Sequence, residues 1–126
     1  MTFIFAGTDT TTNLFIFASI VMFEHPEALQ KAKEEVASVI KSEEDLTFDN
    51  LKKLTYLEAI QWETMRMHSP VAGNLLRTCT QDTLFGDIPL SKGTNIAIRY
   101  KPMLYDPNIF PRPHDFKPER WQGDNK

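Results

Sequence analysis

The chain has 126 residues, 41% hydrophobic and 25% charged, with 14 basic against 17 acidic side chains and a net charge of −3. That is the composition of one ordinary globular domain with a modest core, and its weak, unclustered acidity gives no footing for a nucleic-acid partner. A single cysteine, Cys79, excludes an internal disulfide framework and a thiolate cluster.

Met1-Thr2-Phe3-Ile4-Phe5 lacks a basic start, and Asp9 soon interrupts the apolar run, so the opening does not read as a signal sequence. Thr10 to Phe23 reads as a helix apolar nearly all round, the pattern of a helix enclosed by protein. Its apolar stretch, Leu14–Phe23, is too short for a bilayer, which needs about 20 residues. His25-Pro26 ends it, because the residue before proline avoids the helical region. Pro26 and Glu27 then suit the first turn of a second helix. From Glu27 to Ile40, Leu29, Ala32, Val36 and Ile40 recur at three- and four-residue steps, predicting an amphipathic helix. Ser42–Asp45 is a polar break, and a shorter helical piece follows around Phe48–Leu54.

Tyr56 to His68 is the third helix, closed by Ser69-Pro70. After Pro70 the texture changes to short strands at Leu75–Cys79, Thr83–Phe85 and Asn95–Tyr100, with turn signals at Gly86-Asp87 and Lys92-Gly93. Five prolines between Lys101 and Trp121 (Pro102, Pro107, Pro111, Pro113, Pro118) predict an irregular, packed segment. The three histidines, His25, His68 and His114, lie in unrelated contexts, so a histidine metal site is not expected.

Ala6-Gly7-Thr8-Asp9-Thr10-Thr11 is poor helix material ahead of an apolar helix. Glycine costs about 1 kcal/mol relative to alanine, and threonine and aspartate side chains bond the backbone instead. Two readings stand: Asp9 or Thr8 caps the helix, or the cluster opens it locally and leaves a groove faced by a carboxylate and a hydroxyl. Further on, Glu63-Thr64-Met65-Arg66 puts an acid and a base three apart on one helix face. By itself such a pair is ordinary surface decoration, contributing a few tenths of a kcal/mol.

The first two motifs, followed in order by Phe116-Lys117-Pro118-Glu119-Arg120-Trp121, resemble the cytochrome P450 family of haem-thiolate monooxygenases. The resemblance runs over essentially the whole chain. It implies a mainly α fold with a small β-sheet (α+β), and makes residues 1–126 a single, incomplete domain. In that family the groove helix crosses the haem face: by position Thr10 helps deliver protons to dioxygen with Asp9 in the relay, while Ala6 and Gly7 flank the oxygen pocket. Splitting the O–O bond needs two protons, which a buried site must receive from placed donors. Glu63, Arg66 and Arg120 correspond to a buried structural charge cluster behind the haem. Arg suits it because its planar fork bonds a carboxylate bidentately and stays charged. Arg77 falls where family members contact a haem propionate. Cys79 falls outside the ligand motif, and a small buried residue is the role expected for it. The iron-ligating cysteine is expected beyond Lys126, so these residues supply no metal ligand.

The resemblance also implies the cofactor, haem b, and the reaction, insertion of one atom of dioxygen into a small apolar organic substrate with electrons from a reductase. Retention of both Asp9 and Thr10 favours monooxygenation over peroxide rearrangement. A eukaryotic member would sit on the endoplasmic reticulum membrane, its anchor outside this stretch. The alternative is a truncated, non-catalytic remnant or interaction module without haem chemistry. Ser91, where proline is frequent, and Leu104-Tyr105, where a His-Arg pair is common, depart from the family pattern and bear on local turns.

Overall fold

The computed structural model describes residues 2–70 and 75–123. They form two units: residues 2–70 with 114–123, and residues 75–113. In the first lie four helices, α1 (Thr2–Glu24), α2 (Pro26–Val39), α3 (Phe48–Leu51) and α4 (Thr55–Met67), with 3-10 turns at Glu43–Asp45 and Pro118–Trp121. The second carries strands β1 (Leu75–Thr78), β2 (Thr83–Phe85), β3 (Ile88–Leu90) and β4 (Asn95–Ile98), then the short helix α5 (Lys101–Leu104).

The mainly helical architecture expected from the sequence is present, with its β portion split into two antiparallel ribbons. β1 pairs with β4, Leu75 opposite Ile98 and Thr78 opposite Asn95. β2 pairs with β3, Thr83 opposite Leu90 and Phe85 opposite Ile88. Gly86 takes φ +59° at the first of the two turn positions between them, where a side chain is disfavoured and a two-residue hairpin turn needs a glycine. β3 was not legible because Pro89 sits in its middle. In a two-strand ribbon the missing amide can face away from the partner, so proline is tolerated. The proline-dense segment also holds α5, which Pro102 begins rather than breaks.

The core of the first unit is Ala28 and Ala32 of α2 against Tyr56 and Ile60 of α4, with Met22, Leu57 and Phe116 packed on it. Alanines at α2's contact face let the two helices approach closely. The break at Ser42–Asp45 is an ordered turn: Asp45 Oδ2 accepts from the Lys41 and Ser42 amides, both at 2.9 Å. Those bonds hold the Asp45 carboxyl below its usual range.

One expectation about α1 needs correction. The helix starts well before Thr10 and runs unbroken through Gly7–Thr12, so neither a cap at Thr8 or Asp9 nor a local opening is present. Threonine can remain in a helix by turning its hydroxyl back to the carbonyl one turn earlier, as Thr10 does. Within these residues the apolar side of α1 lies open: Phe15 is 69% exposed and Phe23 86%, with Ile16 and Ile20 about half exposed. Among the described residues no helix is long and apolar enough to cross a membrane.

Candidate functional site

The site with the densest bonding is built on α4. Glu63 and Arg66 fall on one face of this helix, and the Arg66 guanidinium closes on the Glu63 carboxylate with two bonds: Nε to Oε2 and Nη2 to Oε1, both 2.9 Å. From the 3-10 turn at Pro118–Trp121, Arg120 Nε donates to Oε1 at 3.0 Å and Trp121 Nε1 to Oε2 at 2.8 Å. The Lys117 amide adds a fifth bond, to Oε1, at 3.0 Å. Both guanidinium groups also reach the Asp115 carbonyl at 3.5 Å. The family resemblance grouped Glu63, Arg66 and Arg120, and the structure brings all three together.

Burial decides what this arrangement is. Glu63 is 0% exposed and Arg66 3%, so the pair is no surface decoration. Burial alone would raise the Glu63 pKa, but the bonds from Arg66, Trp121 and Lys117 outweigh it and hold the carboxyl below its usual range. A carboxylate closed from solvent, ionised and bonded on both oxygens has no lone pair directed at a substrate. Beside it Thr64, also 0% exposed, turns its hydroxyl to the Ile60 carbonyl at 2.8 Å, which explains a threonine inside this helix.

Three residues at or around this centre escaped sequence reasoning. Trp121 was part of a quoted motif, yet nothing in its spacing announced an indole N–H on Glu63. Glu119, one residue before Arg120, accepts from Lys31 of α2 at 2.8 Å and from the Tyr56 hydroxyl at 3.3 Å. Burial pushes the Tyr56 pKa up, and Glu119 raises that of Lys31. The Glu119 carboxyl, which burial alone would raise, is lowered overall by the bond from Lys31. Glu35 of α2 is the third, described below.

On α1 the Thr10 hydroxyl donates to the Ala6 carbonyl at 2.8 Å, and Asp9 beside it is exposed. Nothing lies within 4 Å of where a Gly7 Cβ would stand, so the Ala6-Gly7 flank is open. In the second unit Arg77 lies on β1 opposite Ile96, exposed, its Nη1 donating to the Leu76 carbonyl at 2.9 Å. Cys79 is half-buried rather than buried: it follows β1, and its Sγ donates to the Gln81 carbonyl at 3.2 Å.

Two of the three histidines have packing roles. His25 precedes α2 and stacks on Phe116 at 4.9 Å between ring centres, while His68 closes α4 and stacks on Phe17 at 5.1 Å. Among the described residues no three His, Cys, Asp or Glu side chains come together as a metal site.

A family model described as Cytochrome P450 matches residues 1–126. The chain is 32% identical over 124 residues to Cytochrome P450 3A31 of Mesocricetus auratus, covering 98% of this chain and 25% of that protein. It is 34% identical over 123 residues to Cytochrome P450 82A1 of Pisum sativum, covering 98% of this chain and 23% of that one. It thus spans about a quarter of the length of these relatives. A zebra fish cytochrome P450 solved with progesterone shares its fold at a TM-score of 0.88 and 24% identity, covering 98% of this chain and 29% of that one. Matched along its entire length, and with Glu63, Arg66 and Arg120 in one buried cluster, the chain belongs to the cytochrome P450 family.

Proposed function

We propose that this chain is part of a haem-dependent monooxygenase, a single incomplete domain whose complete protein activates dioxygen and inserts one oxygen atom into a small apolar organic substrate. The observation that carries the reading is the Thr10 hydroxyl, bonded to the Ala6 carbonyl at 2.8 Å beside the open Gly7 flank, in a chain of this family. Support for haem b comes from the same flank, where small residues leave room for a flat group, and from the exposed Arg77 guanidinium, which suits a propionate carboxylate. When bound, the haem supplies the electron transfer and oxygen chemistry.

The chain's own residues handle protons and shape. The Thr10 hydroxyl donates its hydrogen bond to the Ala6 carbonyl, which leaves its oxygen lone pairs to accept a bond from water or a ligand O–H beside α1. Asp9, about 100° round the helix and exposed, is the acid of the proton relay with Thr10. Ala6 and Gly7 keep the flank clear for dioxygen. The Glu63, Arg66 and Arg120 centre fixes the fold behind the haem and transfers no proton.

Progesterone in the zebra fish structure supports a substrate of that apolar character. Electrons come from a reductase partner. With relatives from Mesocricetus auratus and Pisum sativum, an endoplasmic reticulum membrane location follows as part of the same proposal. The isolated 126 residues are proposed to be inactive.

The test is the protein expressed from its complete reading frame. A thiolate-ligated haem spectrum is expected, and Thr10→Val should lower product formed per electron consumed, with Thr10→Ser restoring much of it. Proton transfer from a placed group is worth roughly 10²–10⁴-fold. A reading frame that stops at Lys126, or a complete protein that takes up no haem, would instead leave a non-catalytic remnant.

A further inference from the structure

Helix α4 begins after Leu54, which is buried and has no polar side chain to offer the first-turn amides. The acceptor comes from another helix. Glu35 of α2 accepts from the Tyr56 amide at 2.7 Å and the Thr55 hydroxyl at 3.3 Å through Oε1, and from the Leu57 amide at 2.9 Å through Oε2. Its negative charge also meets the positive end of α4. One turn earlier on α2, Lys31 reaches Glu119 at 2.8 Å, with buried Ala32 between the two positions. Helix α2 therefore grips both pieces that enclose Glu63: α4 and the turn at Pro118–Trp121.

We infer that Glu35 is a positioning residue for the Glu63 centre. A helix rises 1.5 Å per residue, so Glu63 lies about 9 Å along α4 from the Leu57 amide that Glu35 holds. Over so short a rod, a shift at the first turn becomes a comparable shift at Glu63. The bonds at stake, Lys117 amide to Oε1 at 3.0 Å and Trp121 Nε1 to Oε2 at 2.8 Å, do not survive a displacement of about 1 Å. What the positioning serves rests on the reading of this centre as the scaffold behind the haem. The positioning itself does not, and its test reads amides rather than haem.

Hydrogen exchange with mass spectrometry on the protein from its complete reading frame tests it, comparing Glu35→Ala, Glu35→Gln and Glu34→Ala. Glu34 is the control, since it is exposed and accepts from Gln30 within α2. In Glu35→Ala, the Tyr56 and Leu57 amides should exchange roughly fivefold faster, the scale of a lost helix cap. The Lys117 amide, 60 residues away in sequence from Leu57, should also speed up, and Glu34→Ala should change neither. Should Glu35→Ala fail to fold, Glu35→Gln, which keeps one carbonyl acceptor, is read for the same two sites. Acceleration confined to Tyr56 and Leu57 would make Glu35 a local cap and overturn the inference, as would unchanged exchange at both sites or an equal effect from Glu34→Ala.

Discussion

Glu63 and Arg66 meet as a two-bond ion pair, both bonds 2.9 Å long, in a place where neither residue is more than 3% exposed. Three-residue spacing puts such pairs on any helix; burial changes their energetics. In water the pair would be nearly neutral to stability, whereas removing one partner here strands a charge in the interior.

Arg66→Ala is therefore expected to cost roughly 3–5 kcal/mol, a large share of a typical domain's 5–15 kcal/mol. Arg66→Lys should recover only part of it, because a single ammonium cannot bond both carboxylate oxygens in the plane of the fork. Arg120→Ala should be milder, since its side chain is 13% exposed and water can reach the site. Denaturant unfolding of the complete protein and the three variants checks the ranking. Equal midpoints for Arg66→Ala and the parent would remove the cluster's structural role.

Trp121→Phe isolates one bond. Phenylalanine keeps a ring beside Trp62, whose ring centre lies 6.2 Å from that of Trp121, but it loses the indole N–H that donates to Glu63 Oε2 at 2.8 Å. A hydrogen bond to a charged group is worth about 1.5–3 kcal/mol, so the unfolding midpoint should fall by an amount in that range. A loss below about 0.5 kcal/mol would mean that Arg66 alone satisfies this oxygen.

Acid should unfold the protein through the same centre. In the folded state Glu63 and Glu119 both titrate below their ordinary value of 4.5. A lowered folded pKa contributes stability that is fully present above the unfolded value and is lost as pH falls through the folded one. Melting temperatures should therefore hold from neutral pH down to about 5 and drop below 4.5. Glu119→Gln should remove part of that slope. Lys31 gives the opposite sign at the other end: its pKa is raised above 10.5, so its contribution persists to alkaline pH and is lost only as pH passes the folded value.

The legibility of this chain followed the range of each interaction. Spacing along the sequence revealed α2 and α4 to within two residues at either end, because their apolar periods lie inside one element. Glu63, Arg66 and Arg120 were grouped because the motifs resembled a family, although 54 residues separate Arg66 from Arg120. The Lys31–Glu119 contact, 88 residues apart, carried no local signal, since both residues also suit a solvated face. Glu35 was invisible for a similar reason: it sits among Lys33, Glu34 and other charges on an amphipathic helix, and only the placement of α4 reveals what it accepts. The polar run Gly7–Thr12 misled in the other direction. Its residues weaken a helix locally, but back-bonding such as that of Thr10 to Ala6 and the long apolar continuation keep α1 whole.

The apolar side of α1 sets how the 126 residues behave when produced alone. Phe15, Ile16, Ile20 and Phe23 are exposed, and together with the exposed Phe3 and Ile4 they leave much of one helix uncovered. Contiguous exposed apolar area of this kind promotes association. The isolated chain should elute from a sizing column as oligomers or aggregates, and Ile16→Glu with Phe23→Lys should shift it toward monomer. In the complete protein the same pair of changes should instead lower stability, if the face is covered there. Opposite signs in the two settings would identify α1 as an interior helix of the complete protein. The same sign in both would mean that the face is open to solvent in the complete protein as well.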